Sequence, residues 1–506
     1  MMCTYSTPQA AALNGAMSGH RVVFCGTLAH STDQEAVVVL RNTCLGVQHG
    51  KIAFLCNKDT LEDNLRSHGF QESEVVHLKE RQFLIPGFVD THLHAPQFSN
   101  CGKGLDRGLL EWLDTYTFPT EARFSDLQFA ETAYRRVVRR VLLNGTTTGC
   151  YFATIHTDAT LVLCDIINEF GQRAYVGKVN MNQNSPAFYI EQSTEHSVME
   201  TKRFIEEVRK RKYDKITPII TPRFAISCTE DLLKRLGDLA HEYQLPVQTH
   251  ICETEDEINF VAKLFPSSTN YSDVYDKAGL MTSKTVLAHG IYLTEPEVEL
   301  VKERKCGISH CPNSNLSIRS GVLDAQKLLQ AQVKVGLGTD ISGGYHPSML
   351  DAIRTAVFSS NIHHIRHSST VNGTSASNGS IGVTSNGTCI NNNGNGAPDK
   401  SKPVADITYS DGSGYDALSV WGAFRLATLG GAKVLGLEDK IGNFEVGKEL
   451  DALLIDLTTV DSIVDVLPGD SVEDGIEKYL FTGDDRNILS IYVGGKIVYS
   501  KSPKSN

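Results

Sequence analysis

The 506-residue chain reads as an α/β protein: a (β/α)8 barrel carrying a small β-sandwich domain built from both ends of the chain. Three observations predict this. Eight apolar runs recur between residues 83 and 340, and most lead into segments of helical character. Short β-branched runs with one texture occur near both termini, as if the two ends met. Polar residues able to bind a metal stand at the ends of five of the eight runs, where a barrel of this kind gathers its chemistry.

Residues 1–20 are small and polar without periodicity and are expected to form a loose tail. Residues 21–81 read as β, with clear runs at 35–40 and 51–55 separated by turn residues. Residues 441–500 have the same character, with a run at 451–455 and a hairpin across 488–498, and should complete the β domain. The barrel then spans 82–440. Its strands are expected at 88–94, 147–151, 173–179, 217–221, 246–250, 285–289, 306–310 and 333–340. The connecting stretch 231–240 places leucines at helical spacing. A helix is expected over 348–364. Residues 368–403 form a Ser, Asn, Gly and Thr tract with too little apolar content to offset its ordering entropy. It reads as a disordered surface insertion that offers a place for unidentified protein partners. Order resumes near residues 415–418, with a further helix over 421–429.

Composition excludes several classes. Lys and Arg number 48 against 59 Asp and Glu, a net charge of −11, which argues against a nucleic-acid binder. No run approaches the roughly 20 apolar residues that span a bilayer. The residues before Arg21 lack a basic segment followed by an apolar one, so a cytoplasmic location is expected. In that compartment the twelve scattered cysteines read as free thiols and not as a disulfide framework. Cys252 and Cys311, beside the motifs below, read as small buried apolar residues.

The candidate chemistry begins at Asp90-Thr91-His92-Leu93-His94. On a strand, His92 and His94 share a face and can give adjacent ligands to one ion. His250, His289, His310 and Asp340 end four later runs. Three histidines with one carboxylate suit Zn²⁺, or Fe²⁺ as second choice. Glu253 lies just beyond His250. A metal lowers the pKa of bound water toward about 7, and a carboxylate beside it can move the proton; acids are also favoured at helix starts for ordinary reasons. Arg223 offers a planar fork of donors and Phe224 a flat face for a ring. Lys178 sits inside an apolar strand and is expected to be paired structurally. No bridging Lys or acid follows the fourth strand, so one metal is expected, not two.

Residues 86–94, with His250, Glu253, His289 and Gly338-Thr339-Asp340, resemble the amidohydrolase superfamily. Longer stretches resemble the guanine deaminase family within it: Leu110-Glu111-Trp112-Leu113, Thr221-Pro222-Arg223-Phe224, Cys311-Pro312-Asn313-Ser314-Asn315-Leu316, Gly343-Gly344-Tyr345 and Ile441-Gly442-Asn443-Phe444. The resemblance covers nearly all of the chain beyond residue 21, and the insertion is the visible departure. It implies one zinc per subunit held by His92, His94, His250 and Asp340. It implies catalytic roles for Glu253, Asp340 and His289, and substrate contacts from His94, Gln97, Arg223, Phe224, His250, Glu253 and Asp340. It further implies a homodimer that converts guanine and water to xanthine and ammonia. Two alternatives stay open: a related deaminase acting on another amino-substituted heterocycle, and an inactive scaffold.

Overall fold

The computed structural model describes residues 21–371, 408–409 and 415–501. The expected tail of residues 1–20 lies outside the described residues, as does the expected insertion beyond residue 371. Residues 368–371 are helical, because the helix expected to stop at 364 runs Met349–Val371.

Strands from both ends of the chain form one eight-stranded sheet. The first part supplies β1 (Arg21–His30), β2 (Val38–Gln48), β3 (Lys51–Asn57), β4 (Val75–His77) and β5 (Gln82–Pro86). After β5 the chain passes through Gly87 into the parallel strands. These are β6 (Phe88–His94), β7 (Thr146–Phe152), β8 (Arg173–Gly177), β9 (Val179–Asn180), β10 (Ile216–Pro218) and β11 (Thr221–Pro222). There follow β12 (Val247–Ile251), β13 (Thr285–His289), β14 (Gly307–His310) and β15 (Lys334–Leu337). A short antiparallel pair, β16 (Thr408–Tyr409) and β17 (Ala417–Leu418), precedes the strands that return to the first sheet: β18 (Ala452–Asp456), β19 (Ile488–Val493) and β20 (Lys496–Ser500).

The order in the terminal sheet is β20-β19-β18-β5-β1-β2-β3, with β4 on β1. Its middle strands β5 and β18 are buried at every residue and pair antiparallel, Ile85 against Leu453. Its edges β3 and β20 carry exposed Lys51, Asn57, Lys496 and Ser500, the polar edge that discourages pairing with another chain. Helices Leu61–His68 and Val472–Thr482 interrupt the two terminal β segments and were not anticipated from the β texture.

The parallel strands form two four-stranded sheets, β10-β8-β7-β6 and β12-β13-β14-β15, with β9 and β11 paired between them. β6, β7, β12, β13 and β14 are buried throughout, which is why they read as near-continuous apolar runs rather than alternating ones. Backbone bonds join the sheets on both sides. Ile220 N–H donates to the Pro246 carbonyl and Gln248 N–H to the Ile220 carbonyl, each at 2.9 Å. Beyond β15, Asp340 N–H donates to the His92 carbonyl at 2.9 Å and His94 N–H to the Ile341 carbonyl at 3.0 Å. The third and fourth expected strands are each split, into β8 with β9 and β10 with β11. Pro218 ends β10 at the second break and Pro222 ends β11, and neither has an N–H to give the ladder. At the first break Lys178 turns its ammonium to Glu191 in a fully buried ion pair, as expected of a structural lysine.

One expectation about cysteine is overturned. Cys25 on β1 and Cys44 on β2 form a disulfide. They are directly opposite in the antiparallel register, with Cα atoms 4.2 Å apart; cross-strand neighbours at that spacing put their side chains together, which linear spacing does not reveal. The other eight described cysteines are free.

His30, at the end of β1, fastens this sheet to the segment after the parallel strands. Its Nδ1 accepts the Phe444 N–H at 3.0 Å, and its ring stacks on Phe444 at 5.6 Å. Burial lowers its pKa from 6.5 to about 4; Glu445 opposes the shift and Lys448 adds to it. Protonation in the folded state would remove the acceptor. The contribution is therefore whole above pH 6.5 and fades as pH falls toward 4, amounting to about 3 kcal/mol in all. Denaturant unfolding of His30→Asn, which keeps an acceptor and cannot titrate, should show a smaller loss of stability between pH 6.5 and 4.5 than the parent. Equal losses in the two proteins would remove His30 from the acid response.

Candidate metal and catalytic site

The ends of β6, β12 and β13 and the segment after β15 converge on one pocket. Its walls include His94, Gln97, Arg223, Phe224, His250, Glu253, His289 and Asp340, with Trp112, Leu113 and Ile318 closing the apolar side. His92 lies beneath this surface, buried to 1%. All the site residues expected from sequence are thus brought together except His310. His310 is buried beside Cys311 with neither ring nitrogen bonded, and it does not line the pocket.

His92, His94 and His250 place ring nitrogens within 4.8 Å of one another. The Asp340 carboxylate faces them, with Oδ1 3.1 Å from His92 Nε2 and 3.5 Å from His94 Nε2. His250 Nδ1–H donates to the Arg223 carbonyl at 2.6 Å, which fixes the tautomer and leaves Nε2 as a lone pair. That lone pair lies only 3.1 Å from His94 Nε2. Burial, followed by the other histidines, lowers the pKa of both His94 and His250 well below 6.5. His92 Nδ1 has no hydrogen-bond partner, and Nε2 meets only the Asp340 carboxylate. Buried polar atoms are normally satisfied, and neutral imidazoles aimed at one another beside a carboxylate are satisfied by a cation. The donor set of three nitrogens and one oxygen fits zinc. A second grouping, His92, His289 and Cys311, shares His92 with the first and so is not an independent site.

The backbone makes the approach possible. Asp90 accepts N–H bonds from His92 at 3.2 Å and Thr339 at 3.0 Å, clasping β6 to the segment that carries Asp340. His289 and Asp340 adopt left-handed backbone, with φ of 71° and 45°, strain of the kind that collects at working sites. A Cβ on Gly338 would stand 2.9 Å from the His92 Cβ, and one on Gly343 would stand 2.5 Å from Ser314 Oγ and 3.0 Å from Asp340 Oδ2. Larger residues there would displace the carboxylate or a histidine.

Burial alone would raise the Asp340 pKa, but His92, His289 and His94 outweigh it and hold the carboxyl well below the usual range. Glu253 is the opposite case. Burial pushes it up to about 7; His289 resists and Asp340 assists. Ser320 Oγ–H donates to Glu253 Oε1 at 2.9 Å, while Oε2 lies 3.4 Å from His289 Nε2. His289 in turn has Nδ1 2.9 Å from Asn315 Oδ1, and its Nε2 lies 3.7 Å from Asp340 Oδ2. Two carboxylates with pKa values driven apart by their surroundings are the signature of an acid–base site.

Glu121 was missed from sequence. It is fully buried on the short helix Phe118–Ala122, and its carboxylate accepts from Arg223 at 2.6 and 3.2 Å and from Gln97 at 3.0 Å. Arg223 is thus paired with a buried acid while it lines the pocket. Nothing in the local sequence around Glu121 marks it. Asn315 and Ser320 were also missed as partners of His289 and Glu253.

The model of the Amidohydrolase family matches residues 83–377 and 403–498. The guanine deaminase of Mus musculus is 46% identical over 502 residues, covering 98% of this chain and 98% of its own. The crystal structure of the guanine deaminase from C. acetobutylicum, with guanine bound in its active site, aligns with a TM-score of 0.80 at 32% identity, covering 95% of this chain and 100% of that one. An adenosine deaminase from Xanthomonas campestris with bound zinc aligns with a TM-score of 0.72 at 22% identity, covering 94% of this chain and 92% of that one, and shares the fold.

Proposed function

The chain belongs to the amidohydrolase family, and from that membership we propose that it is a zinc-dependent deaminase that hydrolyses guanine to xanthine and ammonia. The observation that carries the reading is a single pocket with two chemically distinct walls. One wall is the cluster of His92, His94, His250 and Asp340, with Glu253 and His289 at its rim. The other is Arg223, Gln97 and Phe224.

His92, His94, His250 and Asp340 would hold the zinc, which would supply a Lewis acid to activate water. Glu253, with a pKa near 7, accepts a proton from the attacking water and returns it to the ring nitrogen next to the carbon under attack; a group poised near the working pH serves both steps. Ser320 occupies Oε1, so Oε2 is the oxygen left for that exchange. His289 hydrogen-bonds the attacking oxygen. Asp340 relays a second proton to the departing amine, which leaves as ammonia. Trp112, Leu113 and Phe224 enclose the heterocycle and exclude bulk water.

The same reading extends to architecture and assembly. The bonds that join β11 to β12 and the end of β15 to β6 support closure of the eight strands into a (β/α)8 barrel over 82–440. The strands of the terminal sheet make up the small β domain, read as a sandwich over 21–81 and 441–500, with β5 joining it from the segment assigned to the barrel. One zinc per subunit follows from the shared His92. No helix among the described residues is long and apolar enough to cross a membrane. We take the working form to be a cytoplasmic homodimer.

The test is turnover by the zinc-loaded protein across a substrate panel. Guanine should be hydrolysed and adenine should not. Arg223 has only donors and meets a carbonyl but not an amino group, and a site built around such a bond rejects an analogue lacking it by up to roughly 10⁴–10⁵. Adenine turned over as fast as guanine would end the proposal. Arg223→Ala should lower guanine kcat/KM by about 2 kcal/mol or more with zinc retained. It should also destabilise the fold by about 3–5 kcal/mol, because the Glu121 charge is left buried without its partner.

A further inference from the structure

We propose that Glu121 is a positioning residue that dictates which atoms the pocket presents to the heterocycle, and so sets specificity for a ring bearing a carbonyl acceptor beside an N–H donor. The inference rests on the proposed deaminase reading and deepens it.

Glu121 is fully buried and touches none of the zinc-holding histidines. Its two oxygens take three N–H bonds: Gln97 Nε2 and Arg223 Nη2 on Oε1, at 3.0 and 3.2 Å, and Arg223 Nη1 on Oε2 at 2.6 Å. An ionised carboxylate only accepts. The Gln97 amide, otherwise free to turn either way, must therefore give its NH₂ to Glu121 and keep its carbonyl oxygen for the pocket. The guanidinium is fixed as well, gripped through two nitrogens and lying 5.1 Å over the Phe118 ring. Of its five N–H donors, those not directed at Glu121 remain for the substrate. One buried carboxylate thus holds an acceptor and a set of donors in fixed relation on the Gln97 and Arg223 side of the pocket. A ring offering a carbonyl alongside an N–H matches that pattern. A ring without the carbonyl leaves the guanidinium donors unmet.

The experiment compares zinc-loaded parent, Glu121→Gln, Glu121→Asp and Gln97→Leu proteins on guanine and on 2-aminopurine, which keeps the amino group to be removed and lacks the ring carbonyl. Parent protein must first turn over guanine, and its failure to do so would count against the deaminase reading itself. Glu121→Gln can donate as well as accept, so the Gln97 amide is released to turn. That variant should retain zinc, raise KM for guanine by about tenfold or more, and lower the guanine-to-2-aminopurine ratio of kcat/KM by about tenfold or more. Glu121→Asp keeps an acceptor-only charge and should hold that ratio within about threefold of the parent. Gln97→Leu leaves the Glu121–Arg223 pair intact, does not depend on Glu121→Gln folding, and should also lower the ratio. An unchanged ratio in Glu121→Gln, including one where both substrates decline together, would reduce Glu121 to a structural role and overturn the proposal. So would an unchanged ratio in Gln97→Leu, or a ratio lost equally in Glu121→Asp.

Discussion

Replacing His250 with alanine should abolish zinc binding and guanine turnover together. The imidazole has one nitrogen committed to the Arg223 carbonyl at 2.6 Å and the other aimed at His94 Nε2 at 3.1 Å. Removing it takes a ligand from the proposed four-ligand set, whose remaining members are His92, His94 and the Asp340 carboxylate. Changing even a residue that only supports a ligand costs 10–100-fold in metal affinity; losing the ligand itself costs more. His92→Ala should behave alike, since its Nε2 lies 3.1 Å from Asp340 Oδ1. Elemental analysis after dialysis and a turnover assay on the same sample check both. A His250→Ala protein that keeps a full zinc complement and parental turnover would show that the cluster is not the metal site.

Replacing Glu253 with glutamine should separate proton transfer from metal binding. Glutamine is nearly isosteric, and its carbonyl oxygen can still accept the Ser320 hydroxyl proton that now reaches Oε1. It cannot take a proton from water. Zinc content should stay at the parental level while kcat falls by roughly 10²–10⁴-fold, the usual contribution of a general acid–base group. The placement of Glu253 explains why the loss should fall there: burial keeps its pKa near 7, whereas His92, His289 and His94 keep Asp340 ionised. Parental rates in zinc-loaded Glu253→Gln would transfer the shuttle to another group.

Residues whose role follows from local pattern were legible in the sequence. Alternation on one strand put His92 and His94 on a common face, and the regular beat of apolar runs found β6, β12, β13 and β14 to within a residue or two. The apolar runs were readable because parallel strands buried on both faces carry little else. What escaped depends on contacts between distant segments. Glu121 meets Arg223 across 102 residues, and nothing in Phe118-Pro119-Thr120-Glu121 marks one acid on a short helix as buried. Ser320 reaches Glu253 across 67 residues. The Cys25–Cys44 bond follows from hairpin register, which a bulge between Gly26 and Leu28 adjusts and composition does not specify. The broken third and fourth strands reflect prolines and the Lys178–Glu191 pair, which an apolar run conceals.

Strand β5 leads directly into β6, which carries His92 and His94, yet its neighbour β18 is encoded far downstream: Gln82 donates to Asp456 across 374 residues. A ribosome adding about 5–20 residues per second needs roughly 20–75 s to make that stretch. Throughout that interval the edge of β5 that β18 later covers stands open, next to His92 and His94 on β6. Exposed edges of this kind recruit other chains, and contacts so distant in sequence form slowly. The newborn chain therefore needs shielding for tens of seconds, and its yield in cells should respond to translation speed and chaperone supply more steeply than the stability of the finished fold would indicate.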